Sequence, residues 1–208
     1  MKEAKKAPAT PAQHKGKFVD VEHVVEEATL EEAVVTYNRA CTRLLNPPVW
    51  GQLTSGKNVS FILATASENE VQRLAQVGDY FKIDLPGPGS LSGDGYDWVK
   101  VEALEENTAA DADDSLALRV RACPNPHNAS NDVAHFFSEE ATSTFVVRRK
   151  GNQVRFSYHG RNETANTDLA PVLDKMRNAV VAIGAEAGLS EIFWQALATA
   201  MLKEEIGG

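Results

Sequence analysis

From Val49 to Gly160 the apolar residues take up a period of two in a series of short runs, and this period constrains the fold more than any other feature of the chain. A strand turns successive side chains to opposite faces, so such alternation marks a sheet with one face buried and one face wet. Tyr80, Lys82 and Asp84 alternate with Phe81, Ile83 and Leu85, and Val99, Val101 and Ala103 share one face of Trp98–Leu104. Leu116, Leu118, Val120 and Ala122 alternate with Ala117, Arg119, Arg121 and Cys123. Val59–Ala66 reads as a short buried strand, and Thr142–Arg149 and Gln153–His159 flank the turn Lys150-Gly151-Asn152. No regular strand–helix–strand alternation interrupts this region, which excludes a doubly wound parallel sheet. The pattern predicts an antiparallel, strongly curled sheet or small β-barrel of about six strands.

Helical periods bracket the sheet. Thr29-Leu-Glu-Glu32 has the form of a capping box, and Leu30, Ala33, Val34, Tyr37, Cys41, Leu44 and Leu45 follow at three- and four-residue steps. Asn46-Pro47-Pro48 ends that helix. Near the other end, Asp168 and Ser190 are placed to cap two helices joined at Gly188, with Phe193, Leu197 and Met201 on the inner face of the second. Phe18–Val25 fits a strand or a short helix. The fold class is therefore α+β, with an N-terminal helix and a C-terminal helical pair. Residues 1–17 hold five lysines against one glutamate and no apolar period, which predicts a disordered basic tail before a single domain spanning 18–208.

Composition narrows the function classes. The net charge is −8 over 208 residues, which weighs against binding driven by nucleic-acid phosphates. No apolar run is long enough to cross a bilayer, and no apolar core follows the basic start, so neither a membrane span nor a secretory signal is expected. Cys41 and Cys123 stand far apart without zinc spacing. Reduced thiols in a cytoplasmic setting, with no metal and no cofactor, are the expectation.

Three stretches hold groups capable of binding or chemistry. The first runs from Leu85 to Trp98, with four glycines and two prolines between two strands. No Gly-Lys-Ser/Thr follows, so a phosphate-cradling loop is not indicated. Asp94, Tyr96, Asp97 and Trp98 instead form an aromatic and acidic contact set, because Tyr and Trp give large contact area with few rotors to freeze. The second stretch, His159 to Asn166, gathers His159, Arg161 and Glu163 in eight residues, an inventory suited to acid–base work or anion binding. The third holds His127 and His135, at a spacing that is not diagnostic of a metal, and His135 beside Phe136 and Phe137 reads as a packed histidine. Arg119 and Arg121 lie on the polar face of their strand and read as a solvated ridge neutralised by carboxylates.

No nucleophile signature occurs. These features predict a non-catalytic protein-interaction or assembly module that uses the Gly/Pro-rich loop as its contact surface, with a protein partner or self-association. The alternative is a small-ligand-binding protein or hydrolase-like enzyme, with a polar cleft built from the 94–98 and 159–163 loops and carried by His159, Arg161 and Glu163. The two differ in whether those loops meet in one pocket.

Overall fold

The computed structural model describes residues 10–54, 59–85, 90–108, 113–166 and 191–204. Seven antiparallel strands form one sheet: β1 (Lys17–Glu26), β2 (Ser60–Ala64), β3 (Tyr80–Asp84), β4 (Asp97–Thr108), β5 (Asp113–Ala122), β6 (Thr142–Lys150) and β7 (Gln153–Glu163). Their spatial order is β1-β7-β6-β5-β4-β3-β2. The six expected strands are present, and Phe18–Val25 lies in the seventh. The expected closure into a barrel does not occur. Strands β1 and β2 are the two edges of the sheet and do not pair.

The reason lies in the connection between those edges. The chain leaves β1, crosses the sheet as α1 (Leu30–Leu44) and α2 (Pro48–Leu53), and enters β2 at the far side. Helix α1 packs on β6 and β7, α2 on β2, and the last helix, α3 (Glu191–Leu202), on β1, β7 and α1. Helices therefore cover the apolar face that a barrel would bury by closing. The register shifts between Lys17 and Val19 in β1 and between Val101 and Ala103 in β4, as at a β-bulge. The expected first member of the C-terminal helical pair falls within 167–190, outside the described residues.

Aromatic rings dominate the inner core. Trp50 meets Phe61, Phe81 and Phe145 at centroid separations of 5.2, 5.7 and 4.9 Å. Trp194 stacks on Tyr158 at 4.2 Å and 17°. Such pairs add about 0.5–1.5 kcal/mol each beyond their buried area.

The capping box forms as expected: the Glu32 N–H donates to Thr29 Oγ1 at 3.1 Å, and the Thr29 N–H donates to Glu32 Oε2 at 2.9 Å. The buried face of α1 overlaps the expected stripe in part. Ala33, Tyr37 and Leu44 of that stripe are buried, Thr36, Ala40 and Arg43 join them, and Leu30 and Val34 are exposed. Small Ala33 and Ala40 let the helix approach the sheet closely. Arg43 goes inward because its guanidinium donates to the carbonyls of Ala200, Met201 and Lys203, satisfying the C-terminus of α3. In α3, Phe193, Leu197 and Met201 are buried as expected, and Ile192 is 66% exposed.

Part of the expected basic tail is held against the domain. Lys17 opens β1, and Asn162 binds the segment before it. Asn162 Oδ1 accepts from the His14 and Lys15 amides, and its Nδ2 donates to Ala12 O. Asn162 itself adopts a left-handed φ of 57°, which Asn tolerates better than most residues.

Candidate functional site

The sheet register turns Val99 and Val101 toward the helices and Trp98 and Lys100 toward the opposite, outer face. On that outer face, at the corner formed by β2, β3 and β4, a second small core has formed. Trp98, Ala64 and Ala134 are its buried members, and Tyr80, Tyr96 and Cys123 pack around them. The connection between β5 and β6 builds the cover. The Trp98 amide donates to Ala134 O at 2.7 Å, and the Cys123 amide donates to Trp98 O at 3.1 Å.

The described end of the Gly/Pro-rich loop folds down onto this corner. Its amides at Gly93, Gly95 and Tyr96 are satisfied within the turn, and Trp98 Nε1 donates to Gly93 O at 3.2 Å. Gly95 sits at φ 88° and Asp94 at φ 55°, so the turn needs two left-handed residues in succession. A side chain at Gly93 would collide with the Tyr96 carbonyl.

The four expected contact residues take different positions. Asp94 is exposed, and its Oδ2 accepts from Asn125 Nδ2 at 2.8 Å and from Asn128 Nδ2 at 3.4 Å. Tyr96 is half-buried with the Lys82 ammonium 3.9 Å from its ring centroid. Trp98 is only 1% exposed. Asp97 is 6% exposed on the helix-facing side, and burial pushes its carboxyl up to about 7, against a smaller opposing effect of the Phe136 N–H that it accepts. Asp94 thus ties the 123–131 segment in place, Trp98 anchors the corner, and Tyr96 seals its edge.

His127 completes the clamp. Its Nε2 lies 2.7 Å from Thr65 O and its Nδ1 2.6 Å from Asn69 Oδ1, while the ring meets Trp98 edge-on at 5.4 Å. A backbone carbonyl can only accept, so Nε2 carries the hydrogen. His127 thereby locks the 123–131 segment to the end of β2. His135 does not join it. His135 is buried, burial pushes its imidazole down to about 3, and its Nδ1 accepts from the Phe137 amide. Among the described residues no three His, Cys, Asp or Glu groups converge as a metal site.

Between this clamp and the sheet lies a pocket of about 350 Å³, lined by Tyr80, Lys100, Cys123, Asn125, Asn128 and Asn131, with Pro124, Pro126 and Ser130. Lys100 stands 5.6 Å from the Tyr80 ring centroid. Burial pushes the Cys123 thiol up to about 12, so it holds its proton at neutral pH. Tyr80 and Lys100 were absent from the sequence-derived set. Their signal was the period-two alternation, which marks them only as outward-facing.

The second expected group is not a loop. His159, Arg161 and Glu163 belong to β7. His159 Nδ1 lies 2.6 Å from Asp20 Oδ1, and Arg161 Nη2 donates to the same oxygen at 2.6 Å. Burial pushes the Asp20 carboxyl up, but the hydrogen bonds from His159 and Arg161 outweigh it and hold it below its ordinary value. Glu163 accepts from the Tyr158 hydroxyl at 3.3 Å, and burial pushes its carboxyl up. Tyr158 belongs to the inner core and His159 points to the other face, so the three groups do not converge.

The pocket beside Trp98 does not join the two stretches, since neither lines it. The segment 134–138 lies between them: Trp98 bonds it on one side, and Thr164 and Asn166 bond it on the other. A wider groove of about 1200 Å³ runs between α1, α2 and α3, lined by Val49, Leu53, Ile192 and Ala196 among others. Its walls reach positions next to 55–58 and 190, beyond the described residues.

No family model matches the chain, and no curated protein matches it. Solved structures do show similarity. A protein from Arthrobacter aurescens is 11% identical with a TM-score of 0.35, over 91% of this chain and 92% of that one. The major latex-like protein 151 of Panax ginseng is 15% identical with a TM-score of 0.33, over 80% and 98%. Norcoclaurine synthase from Thalictrum flavum is 12% identical with a TM-score of 0.30, over 97% and 100%. At these scores the likenesses carry no argument, and the reading of this chain rests on its own geometry.

Proposed function

We propose that the protein binds a small molecule, without catalysis, in the outer-corner pocket beside Trp98. The observation that supports this reading is the pocket of about 350 Å³, held open by polar ties rather than closed by packing. A volume of that order suits a small ligand. Asp94 and His127 fix the 123–131 wall from two sides, which keeps the site preorganised. The chemistry of the lining selects the ligand class. Lys100 supplies an ammonium, Tyr80 a flat ring, and Pro124 and Pro126 apolar surface. These suit a molecule with one flat apolar face and one negative group.

Asp94, Tyr96, Asp97 and Trp98 serve in this reading as supports of the site rather than as its contact surface. Acid–base chemistry finds little purchase here, because the Cys123 thiol stays protonated and Asp97 faces the other side of the sheet. One domain from 18 to 208 carries the site, and the reduced state of Cys41 and Cys123 suits a cytoplasmic protein.

A protein partner is the second reading, favoured by Leu91, which stands 77% exposed in the same loop. A thermal-shift screen of small aromatic carboxylates separates the two. The ligand reading expects stabilisation that Lys100→Ala abolishes and Leu91→Ala leaves intact. No stabilisation by any such compound, or one unaffected by Lys100→Ala, refutes it.

A further inference from the structure

On the outer face of β5, β6 and β7, two cross-strand rows place a threonine between basic side chains. Thr142 is the register partner of Arg121 on β5 and of Arg161 on β7. Thr144 is the partner of Arg119 and of His159 in the same way. Register partners in an antiparallel pair share a face and lie about 5 Å apart.

Two features set these rows apart from a solvated polar face. First, cationic groups are concentrated here, in a chain whose net charge is −8. Arg119 and Arg121 both bond Glu102 through their Nε atoms, and Arg161 and His159 both meet Asp20. Glu102 on β4 and Asp20 on β1 thus hold the four side chains outward, away from the two threonines on the central strand β6. Second, the hydroxyls at the centre are unmatched. Thr142 and Thr144 are 2% and 0% exposed, and neither Oγ1 has a hydrogen-bond partner. Buried hydroxyls are nearly always paired with protein, water or a bound group, so two without a protein partner side by side offer donors to an acceptor from outside the chain. The flanking groups remain reachable: the side chains of Arg119, Arg121, Arg161 and His159 are 24, 35, 15 and 27% exposed.

We propose that this face is a binding site for a tetrahedral oxyanion of the phosphate class, either free or as a monoester on a small molecule. The hydroxyls of Thr142 and Thr144 donate to its oxygens from below, and guanidinium groups donate from the strands on either side. The guanidinium fork matches phosphate geometry, and charge-assisted bonds are the strong ones. Glu102 and Asp20 hold the basic groups apart in the unliganded protein and give way as the oxyanion docks. The corner pocket adjoins this site, since Lys100 is the register partner of Arg121, but the oxyanion binds whether or not that pocket is filled.

The test titrates the full chain with inorganic phosphate, with glycerol phosphate, and with chloride at matched ionic strength, following the arginine Nε–H resonances by NMR. Saturable shifts of Arg119, Arg121 and Arg161 with either phosphate species, and not with chloride, are expected. Saturation by inorganic phosphate assigns a free oxyanion; saturation by the monoester alone assigns a phosphorylated small molecule. The isosteric double variant Thr142→Val/Thr144→Val should bind at least tenfold more weakly while melting no lower than the parent. Thr144→Ser, which keeps the hydroxyl, should retain binding, and it stands in if the double variant fails to fold. A response that matches chloride, or undiminished binding by the valine variant, overturns the proposal.

Discussion

Asp97→Asn should flatten the dependence of stability on pH. The carboxyl is 6% exposed, and burial raises it from 3.8 to about 7. A group raised in the folded state favours folding most below its unfolded value, and that contribution is lost as pH rises through its folded value. Asp97 therefore stabilises the protein fully below about pH 4, progressively less between about pH 4 and 7, and then reaches a plateau. A tenfold difference in proton affinity between the folded and unfolded chain is worth about 1.4 kcal/mol, so the decline attributable to Asp97 between about pH 5 and 8 is about 3 kcal/mol. Asparagine keeps the shape and can still accept from the Phe136 amide, but it does not titrate. Urea denaturation of both proteins at several pH values in that window measures the difference. The variant should gain on the parent by about 3 kcal/mol from the acid to the alkaline end. Parallel curves would refute the reasoning, because they would mean that Asp97 ionises in the folded protein as it does in water.

Three further outcomes follow from packing. Leu197→Ala should cost about 2–5 kcal/mol in urea denaturation, because the side chain is fully buried in the inner core. Trp98→Ala should cost about 3–5 kcal/mol, whereas Tyr96→Ala, at the half-exposed edge, should stay within about 1 kcal/mol; equal losses would mean that the corner core is not centred on Trp98. Asn162→Ala should cost about 1–3 kcal/mol by orphaning the His14 and Lys15 amides and straining a left-handed backbone, and Asn162→Gly should cost less than Asn162→Ala by thermal unfolding.

The strands and the α1 cap were legible because both are local. Alternation names the faces of a strand, and Thr29 and Glu32 need only each other. Closure of the sheet was not legible, since the same six alternating segments serve a barrel or an open sheet. The choice is made where α1 and α2 carry the chain from one edge to the other. The inward face of α1 was legible only in part, for a related reason. Periodicity marks Ala33, Tyr37 and Leu44 correctly, but the close approach to β6 also takes in Ala40, and the end of α3 draws in Arg43.

At the site, alternation correctly set Trp98 opposite Val99 and Val101. Alternation alone does not say what covers that outer face. The cover comes from the 123–141 connection, whose ties are long-range: Asp94 to Asn125, His127 to Thr65, Trp98 to Ala134. No local pattern encodes those pairings. The division of His159 and Arg161 from Glu163 likewise depends on the end of β7, where Asn162 takes its left-handed turn.

The central claim, that the outer corner is a ligand site, is tested most directly by mapping a bound small aromatic carboxylate onto the backbone amides by two-dimensional NMR. Saturable shifts concentrated at Lys100, Cys123, Asn125 and Asn128 are expected, with Leu197 and Trp194 in the inner core unmoved. Shifts centred on α3, or on the groove that Ile192 and Val49 line, would contradict it.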